Sequence, residues 1–151
     1  MDEQAQRVAL VTGGDGSLGK ATALKLAQLG WSIFLHTSGE QADAAQALDE
    51  VAAAQTGGLE TQVDAARADL TNHGHREQLI EQALDTFGQI DLLVNAAWDP
   101  PAEPQDLLEM TEEDFSEVME STATATLFLT QLVASEMVRQ VEAGLIENPG
   151  S

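Results

Sequence analysis

Residues 8–20 read Val-Ala-Leu-Val-Thr-Gly-Gly-Asp-Gly-Ser-Leu-Gly-Lys, and this stretch decides the fold. Its apolar start is typical of a β-strand, and the glycines then end the strand. From Leu18 to Leu29, leucine and alanine recur at helical spacing. A loop without side chains lets an anion approach the backbone closely. Because the free N–H groups and the positive dipole end of the next helix point at the same place, the stretch predicts a pyrophosphate-binding loop.

Two glycine registers fit this loop, and they give its glycines different tasks. Gly14, Gly16 and Gly19 spell G-x-G-x-x-G, in which successive glycines permit the turn, the pyrophosphate contact and close helix packing. Alternatively, Thr12-Gly13 followed by Gly19 fits a T-G-x-x-x-G-x-G pattern. The second register is favoured by a family resemblance described below.

The composition predicts a single acidic domain spanning residues 1–151. The chain has 26 acidic and 6 basic side chains and a formal net charge of −20, so its field repels nucleic acids and anionic membranes. Such acidity is typical of halophilic proteins, whose salt screens the repulsion, and equally of ordinary acidic cytosolic proteins. The chain has no cysteine, and its acidic start leads into no long apolar segment. The lack of cysteine excludes disulfides and leaves the redox compartment open. The N-terminal stretch predicts a cytoplasmic protein without a membrane span.

A second apolar run, Ser32–His36, predicts a buried strand that ends near Thr37 and Ser38. In dinucleotide-binding units this end meets the adenosine ribose, where a carboxylate accepts from the 2′-hydroxyl and repels a 2′-phosphate. No carboxylate stands at Thr37 or Ser38, and both hydroxyl side chains can donate, so NADP is favoured over NAD. The absence of an arginine nearby in sequence and the charge of Asp15 oppose that choice. His36 is interpreted as a structural histidine.

Strands and helices alternate along the rest of the chain. The patterns predict helices at about 41–55, 77–87 and 111–140, a weak third strand between 59 and 70, a fourth strand over 90–95 and a fifth strand starting at 144. Gly57-Gly58 and Gly88 end two of the helices, and three prolines exclude regular structure from 99–105. The order predicts an α/β fold of Rossmann type, a doubly wound parallel sheet with helices on both faces.

Two histidines precede the helix predicted at 77–87. His73 and His75 flank Gly74, and a His-x-His pair can ligate a metal. No carboxylate at a recognisable ligand spacing completes the set, so we assign no metal site and place both histidines in a solvated loop.

The fourth strand carries the residues that indicate a family. Leu92-Leu93-Val94-Asn95-Ala96-Ala97 resembles the L-V-N-N-A-G segment of short-chain dehydrogenases/reductases. The Thr12-Gly13 start and the corner at Asp69 occur in the family's order. Essentially the whole chain therefore resembles the NAD(P)-binding half of that family. Two residues depart from the segment, since Ala96 replaces its second asparagine and Trp98 stands at its glycine.

The resemblance implies that the chain binds a nicotinamide dinucleotide, with NADP favoured and NAD as the alternative. Asp69 would bond the adenine amino group, cap the next helix, or do both. Ser17 at the middle glycine and the His36-x-Ser38 ending are similar to pteridine-reductase-like members. The implied cofactor-binding residues are Gly13, Ser17, Leu18, Gly19, Thr37, Ser38, Asp69, Leu70, Asn95 and Ala96.

The family's catalytic residues are not matched in this sequence. Thr122 stands where the family has an asparagine that supports a proton-relay water, counted back from 127–131, which looks like F-L-L-T-Q. The resemblance places the catalytic serine and the Tyr-x-x-x-Lys pair beyond the fifth strand, and the 151 residues include no tyrosine. We therefore expect this chain, by itself, not to reduce carbonyls.

Two functions stay open at this point. The chain is either the NADP(H)-binding part of an oxidoreductase that reduces carbonyls or pterins, or a non-catalytic dinucleotide-binding or oligomer-forming remnant. The helix over 111–140 has an apolar face flanked by small residues, and in the family the equivalent helix packs against its mate. The resemblance therefore implies a possible homo-oligomer through this helix.

Overall fold

The computed structural model describes residues 6–39, 41–56, 61–98, 106–140 and 145–147. The strands are β1 (Val8–Val11), β2 (Ser32–Thr37), β3 (Val63–Arg67), β4 (Leu92–Val94) and β5 (Leu145–Glu147). The helices are α1 (Ser17–Gln28), α2 (Gln41–Ala53), α3 (His73–Phe87), α4 (Glu112–Met119) and α5 (Ala125–Arg139), and a π-helical turn (Glu120–Thr124) joins α4 to α5.

The five strands form one parallel sheet in the order β3-β2-β1-β4-β5. From β1 the chain first builds outward through β2 and β3, and then crosses back to add β4 and β5. Such a reversal opens a crevice at the carboxyl ends of the two central strands, which is where ligands bind in doubly wound sheets. The topology therefore puts any ligand site beside the ends of β1 and β4.

Helices cover both faces of the sheet, which confirms the predicted doubly wound α/β fold. Alternate residues of each central strand point to opposite faces. One core joins the strands to α3 and α5 and includes Leu10, Phe34, Leu93, Leu79, Ile80, Leu129 and Val133. The other joins them to α1 and α2 and includes Ala9, Val11, Ile33, Leu35, Ala23, Ala27 and Val51. β1, β2 and β4 are buried on both faces, so they read as continuous apolar runs.

Helix ends follow the predicted local signals where the structure describes them. The Thr111 hydroxyl accepts from the N–H of Asp114 at 3.2 Å, and the Asp114 carboxylate accepts from the N–H of Thr111 at 3.0 Å. This capping box starts α4. Gly88 ends α3 in the left-handed conformation, with φ of 78°.

The start predicted for α3 is wrong, and so is the loop position predicted for its two histidines. The helix begins at His73, because Asn72 caps it by accepting from the N–H of His75 at 3.2 Å. The capping role considered for Asp69 therefore falls to Asn72. Gly74 weakens the helical pattern in sequence, but a glycine in the first turn of a capped helix costs little.

Two further predictions differ from the structure in detail. The helix predicted over 111–140 is interrupted by the π-helical turn, and the fourth strand is shorter than the apolar run that predicts it. The Gly57-Gly58 helix end, the irregular segment 99–105 and the start at 144 lie outside the described residues. Among the helices described, none is both long and apolar enough to span a lipid bilayer.

Candidate functional site

Thr12 joins the ends of the two central strands at the crevice. Its N–H donates to the carbonyl of Val94 at 2.9 Å, which extends the β1–β4 pairing. Its hydroxyl oxygen accepts from the N–H groups of Ala96 and Ala97 at 3.1 and 3.0 Å. The side chain is fully buried. The sequence identifies Thr12 only as part of the glycine motif and not as this link, although a hydroxyl at the end of a buried strand needs partners of this kind.

At two positions of the glycine loop, backbone atoms lie too close to leave room for a side chain. Gly13 has φ of 67°, and a Cβ on it would lie 2.7 Å from the Cα of Ala97 and 2.8 Å from the carbonyl oxygen of Ala96. A Cβ on Gly19 would lie 2.1 Å from the carbonyl oxygen of Gly13, whereas one on Gly16 would lie 3.3 Å from it. A Cβ on Gly14 would lie 2.9 Å from a methyl carbon of the Leu35 side chain. The two positions at which a Cβ would meet backbone atoms at under 3.0 Å, Gly13 and Gly19, are those of the Thr12-Gly13 register.

The first turn of α1 presents free backbone donors beside this loop. Ser17 and Leu18 are exposed, and Gly19 is buried behind them. Gly16 precedes the helix and has no side chain to cap it, and the first turn carries no acidic residue. Uncapped N–H groups at the positive end of a helix dipole suit an anion.

His36 links the ends of β1, β2 and β3 through hydrogen bonds of its ring. Its Nδ1 accepts from the N–H of Gly13 at 3.3 Å, so the proton is on Nε2, which donates to the carbonyl of Ala68 at 3.0 Å. Burial lowers the pKa of His36, and the hydrogen bond to Ala68 and the charges of Asp15 and Asp69 offset only part of that shift. The imidazole is therefore neutral and structural, as the sequence interpretation holds.

The hydroxyl side chains of Thr37 and Ser38, at the end of β2, are not equally accessible as hydrogen-bond donors. Thr37 is fully buried, and its hydroxyl has no hydrogen-bond partner among the described residues, whereas Ser38 is exposed. The Asp15 carboxylate crosses from the glycine loop and accepts from the N–H groups of Ser38 and Gly39 at 3.2 and 2.7 Å. No carboxylate stands at the end of β2 itself, and Asp15 of the glycine loop supplies one there.

The end of β3 brings an arginine to the same place. Arg67 is paired in register with Thr37 across β2 and β3, although 30 residues of sequence separate them. No described carboxylate lies within ion-pairing distance of its exposed guanidinium. Arg67 therefore supplies a cation close to the end of β2. The sequence around Thr37 and Ser38 contains no arginine, and that absence opposes NADP in the sequence analysis.

Asp69 and Leu70 follow β3 at the same edge of the sheet. One carboxylate oxygen of Asp69 accepts from the hydroxyl and the N–H of Thr71 at 2.6 and 2.9 Å. The Thr71 hydroxyl is the main reason that the pKa of Asp69 is lowered, and the nearby His75 and Arg76 lower it further. The Leu70 carbonyl accepts from the guanidinium of Arg76, which is buried against the ring of Phe128.

A cleft of about 650 Å³ joins these strand ends. Its volume is in the range typical of small-molecule and cofactor sites. Polar and ionisable groups line it together with the segment that follows β4. The lining includes His36, Ser38, Arg67, Asp69, Ala97 and Trp98.

The segment after β4 closes the opposite side of the loop. Asn95 is buried and donates to the hydroxyl of Thr130 on α5 at 3.0 Å. Ala96 is held by Thr12, and Trp98 is 72 % exposed. The backbone of this segment, rather than its side chains, therefore faces the glycine loop at Gly13.

Thr122 lies in the π-helical turn, where its hydroxyl donates to the carbonyl of Val118 in the same helix. The hydroxyl is therefore already engaged within its own helix. Among the described residues, no group of three acidic or histidine side chains lies close enough to hold a metal ion. His73 instead pairs with Glu77 one turn along α3, at 3.3 Å.

The fold and the crevice define a class of protein, the doubly wound α/β proteins with a glycine loop at the point where the strand order reverses. The chain belongs to the short-chain dehydrogenase family, whose sequence model, described as short chain dehydrogenase, matches residues 7–151. Members of this family bind nicotinamide dinucleotides. The family expected from the fourth strand is thus confirmed.

Two curated relatives illustrate the sequence similarity. The chain is 33 % identical to a 3-oxoacyl-[acyl-carrier-protein] reductase of Synechocystis sp., over 95 % of this chain and 59 % of the relative. It is also 33 % identical to a hydroxynaphthalene reductase-like protein Arp2 of Metarhizium guizhouense, over 84 % of this chain and 45 % of the relative. The chain spans about half the length of the curated relatives it matches.

Solved structures of the family have the same fold. An NAD+-bound xylitol dehydrogenase matches 97 % of this chain and 54 % of its own, with a TM-score of 0.84 and 26 % identity. An acetoin dehydrogenase from Enterobacter cloacae matches 97 % of this chain and 55 % of its own, with a TM-score of 0.82 and 30 % identity.

Proposed function

We propose that this chain is the nicotinamide-dinucleotide-binding part of a short-chain oxidoreductase. The observation that carries the proposal is the glycine loop, in which Gly13 and Gly19 leave no room for a Cβ and the first amides of α1 stay uncapped. The pyrophosphate lies over Gly13 to Gly19, against the N–H groups of Ser17, Leu18 and Gly19. Hydride chemistry belongs to the nicotinamide, and the protein orients it.

The remaining predicted residues fit the two ends of the same cofactor. The adenine lies in the cleft beside Asp69 and Leu70, because that cleft continues from the end of β2 to the end of β3. Asn95 and Ala96 border the loop on the β4 side, which is the direction of the nicotinamide. Two named relatives are carbonyl reductases, a 3-oxoacyl-[acyl-carrier-protein] reductase and a diacetyl reductase, and they support carbonyl reduction by the whole protein over pterin reduction.

NADP(H) is the cofactor favoured by the cation at the ribose end of the cleft. Ser38 is exposed there, and the Arg67 guanidinium lines the same cleft without a described carboxylate partner. An arginine is suited to a 2′-phosphate because charge-assisted hydrogen bonds are the strong ones. NAD(H) is the alternative, and the Asp15 carboxylate favours it.

Isothermal titration of the purified chain with NADPH and NADH tests both levels of the proposal. We expect Arg67→Gln to weaken NADPH binding by about tenfold, since a charge-assisted hydrogen bond contributes about 1.5 kcal/mol or more, and to leave NADH binding nearly unchanged. Arg139→Gln is the matched control, because it removes the same charge from the far end of α5, where Arg139 pairs with Glu136.

The outcomes separate the two levels. Absence of binding by either nucleotide at millimolar concentration would rule out the dinucleotide site. Equal loss of NADPH and NADH binding in Arg67→Gln would rule out only the phosphate-binding role of Arg67.

The chain also presents a surface suited to a homo-oligomer through α4 and α5. Ala125, Leu129, Val133 and Met137 cover the sheet, so the exposed apolar side chains of these helices form a separate face. This face includes Phe115, Met119, Leu127, Phe128 and Val138. A two-fold contact uses one patch on both partners, and a second copy would remove this apolar area from water.

Light scattering tests this surface. We expect Leu127→Glu to shift the chain to monomer, because a contact across a two-fold axis buries the new charge twice. Leu29→Glu, at an exposed leucine after α1, is expected to leave the mass unchanged. A monomeric wild-type chain at high concentration contradicts the proposal.

A cytoplasmic location and the non-catalytic alternative stay predictions.

A further inference from the structure

The Asp15 carboxylate forms a bridge between the glycine loop and the end of β2. Its Oδ2 accepts from the N–H of Ser38 at 3.2 Å and from the N–H of Gly39 at 2.7 Å. The loop is held beside β2 by a second contact, in which the N–H of Gly14 donates to the carbonyl of His36 at 2.8 Å. The carboxylate therefore has a fixed position over the two residues that follow β2.

Gly39 makes this bridge possible. A Cβ at that position would lie 2.7 Å from Oδ2 of Asp15, so any side chain there would push the carboxylate away from the backbone. Gly39 has no left-handed φ that would by itself require glycine. The absence of a side chain at 39 is thus explained by the approach of Asp15.

The bridged amides lie where a dinucleotide-binding sheet meets the adenosine ribose, at the end of its second strand. A carboxylate at this place accepts from the ribose 2′-hydroxyl and repels a 2′-phosphate. Asp15 also occupies Ser38 N–H and Gly39 N–H, which are the backbone donors that a 2′-phosphate would need there. Both effects act against a phosphorylated ribose and neither acts against a free hydroxyl.

Arg67, which lines the cleft together with Ser38, acts in the opposite direction. The Arg67 guanidinium attracts a 2′-phosphate. Before such a phosphate can bind to the N–H groups of Ser38 and Gly39, the Asp15 carboxylate must give up its hydrogen bonds to them, and a second negative charge then lies beside it. The selectivity of the site therefore depends on the opposing charges of Asp15 and Arg67.

We propose that Asp15 is a specificity-determining residue that lowers the affinity of this site for 2′-phosphorylated dinucleotides relative to their 2′-hydroxyl counterparts. The inference rests on the proposed dinucleotide site, and it concerns the ribose end alone. A purely structural bridge would affect both nucleotides equally, because both need the same loop.

The test compares 2′-phospho-ADP-ribose with ADP-ribose by isothermal titration of wild type and Asp15→Asn. The asparagine keeps an oxygen that can accept from Ser38 and Gly39 and removes only the charge. We expect the affinity ratio of the phosphorylated to the unphosphorylated ligand to rise by about tenfold, which is a modest effect for a like charge at hydrogen-bonding range near a protein surface. Asp15→Ser, which also keeps an oxygen acceptor, is the second variant if the asparagine variant does not fold.

Asp85→Asn is the matched control, because it makes the same change in net charge at an exposed position near the end of α3 that does not line the cleft. Its affinity ratio is expected to equal that of wild type. A ratio that changes equally in Asp15→Asn and Asp85→Asn, or not at all, overturns the role of Asp15 while the nucleotide site stands. If neither ligand binds wild type or variants, the proposed function and this inference both fall.

Discussion

Gly19→Ala is expected to abolish nucleotide binding and to destabilise the fold, although it adds one methyl group. That methyl carbon would lie 2.1 Å from the carbonyl oxygen and 2.6 Å from the carbonyl carbon of Gly13, and 2.9 Å from the carbonyl oxygen of Thr12. All three are backbone atoms, so no rotamer change relieves the contact. The helix or the loop must move.

The cost follows from which parts would have to move. Gly13 is itself held against Ala96 and Ala97, and Thr12 bonds both of those residues, so the loop cannot retreat without separating β1 from β4. We expect the free energy of unfolding to fall by about 3 kcal/mol, the upper part of the usual range for overpacked sites. Any folded fraction would present displaced amides to the pyrophosphate.

Gly16→Ala is the control within the same loop. A Cβ there would lie 3.3 Å from the carbonyl oxygen of Gly13, a tight contact that a small shift relieves. Alanine is a poorer N-cap than glycine, so we expect a loss of under about 1 kcal/mol and retained NADPH binding. Chemical denaturation and titration with NADPH measure both quantities. If Gly16→Ala abolished NADPH binding as completely as Gly19→Ala does, the Thr12-Gly13 register would be wrong, because Gly19 belongs to both registers and Gly16 only to G-x-G-x-x-G.

Features carried by neighbouring residues could be predicted from the sequence. The glycine loop, the buried strands and the fourth-strand segment are each continuous in sequence, and each pattern follows from one local requirement. β3 is less distinct because an edge strand is half-exposed and needs no continuous apolar run. The sequence places the start of α3 too late because Gly74, between His73 and His75, weakens the helical pattern in the first turn. Asn72 and Asp69 are both good caps by residue type, and only the backbone path selects between them.

The charged residues that strand pairing and loop contacts bring to the end of β2 could not be predicted in the same way. Arg67 lies near Ser38 only because β2 and β3 pair in the register that sets Thr37 opposite Arg67. Asp15 reaches the end of β2 only because Gly39 leaves room for it. Neither relation has a signature at a fixed spacing, so the ribose end of the site emerges only from the three-dimensional structure.

His36 is expected to make the stability of this domain fall as the pH drops below neutrality. Its neutral form is required, because Nδ1 accepts from the loop at Gly13 while Nε2 donates to Ala68. Protonation of Nδ1 would set two N–H groups against each other in a buried position. Burial accordingly lowers the pKa of His36 in the folded state.

The direction of the pH effect follows from that lowered pKa. The unfolded chain has the ordinary histidine value of about 6.5, so between that value and the lower folded one the unfolded state binds more protons. The contribution of His36 to stability is therefore complete above about pH 6.5 and is lost as the pH falls through the folded pKa. Each unit of separation between the two values contributes about 1.4 kcal/mol.

His36→Asn separates this contribution from the rest of the acid sensitivity. Its amide oxygen can accept from the N–H of Gly13, but no group on it titrates in this range. The variant should be less stable than wild type at pH 7.5 by about 1–3 kcal/mol, because the carbonyl of Ala68 loses its partner. From pH 7.5 to 5 it should lose less stability than wild type does, since the lowered pKa of Asp69, and any other carboxylate contribution, acts at lower pH.

His73→Asn is the matched control, because His73 is exposed on α3, where it pairs with Glu77. Its melting temperature should follow the wild-type profile across the same pH range. If the stability of wild type and of His36→Asn fell in parallel from pH 7.5 to 5, His36 would not be the cause of the loss of stability in that range. Because the first amide of the loop depends on the neutral imidazole, NADPH affinity should fall with stability over the same pH interval in wild type, and should stay flatter in His36→Asn.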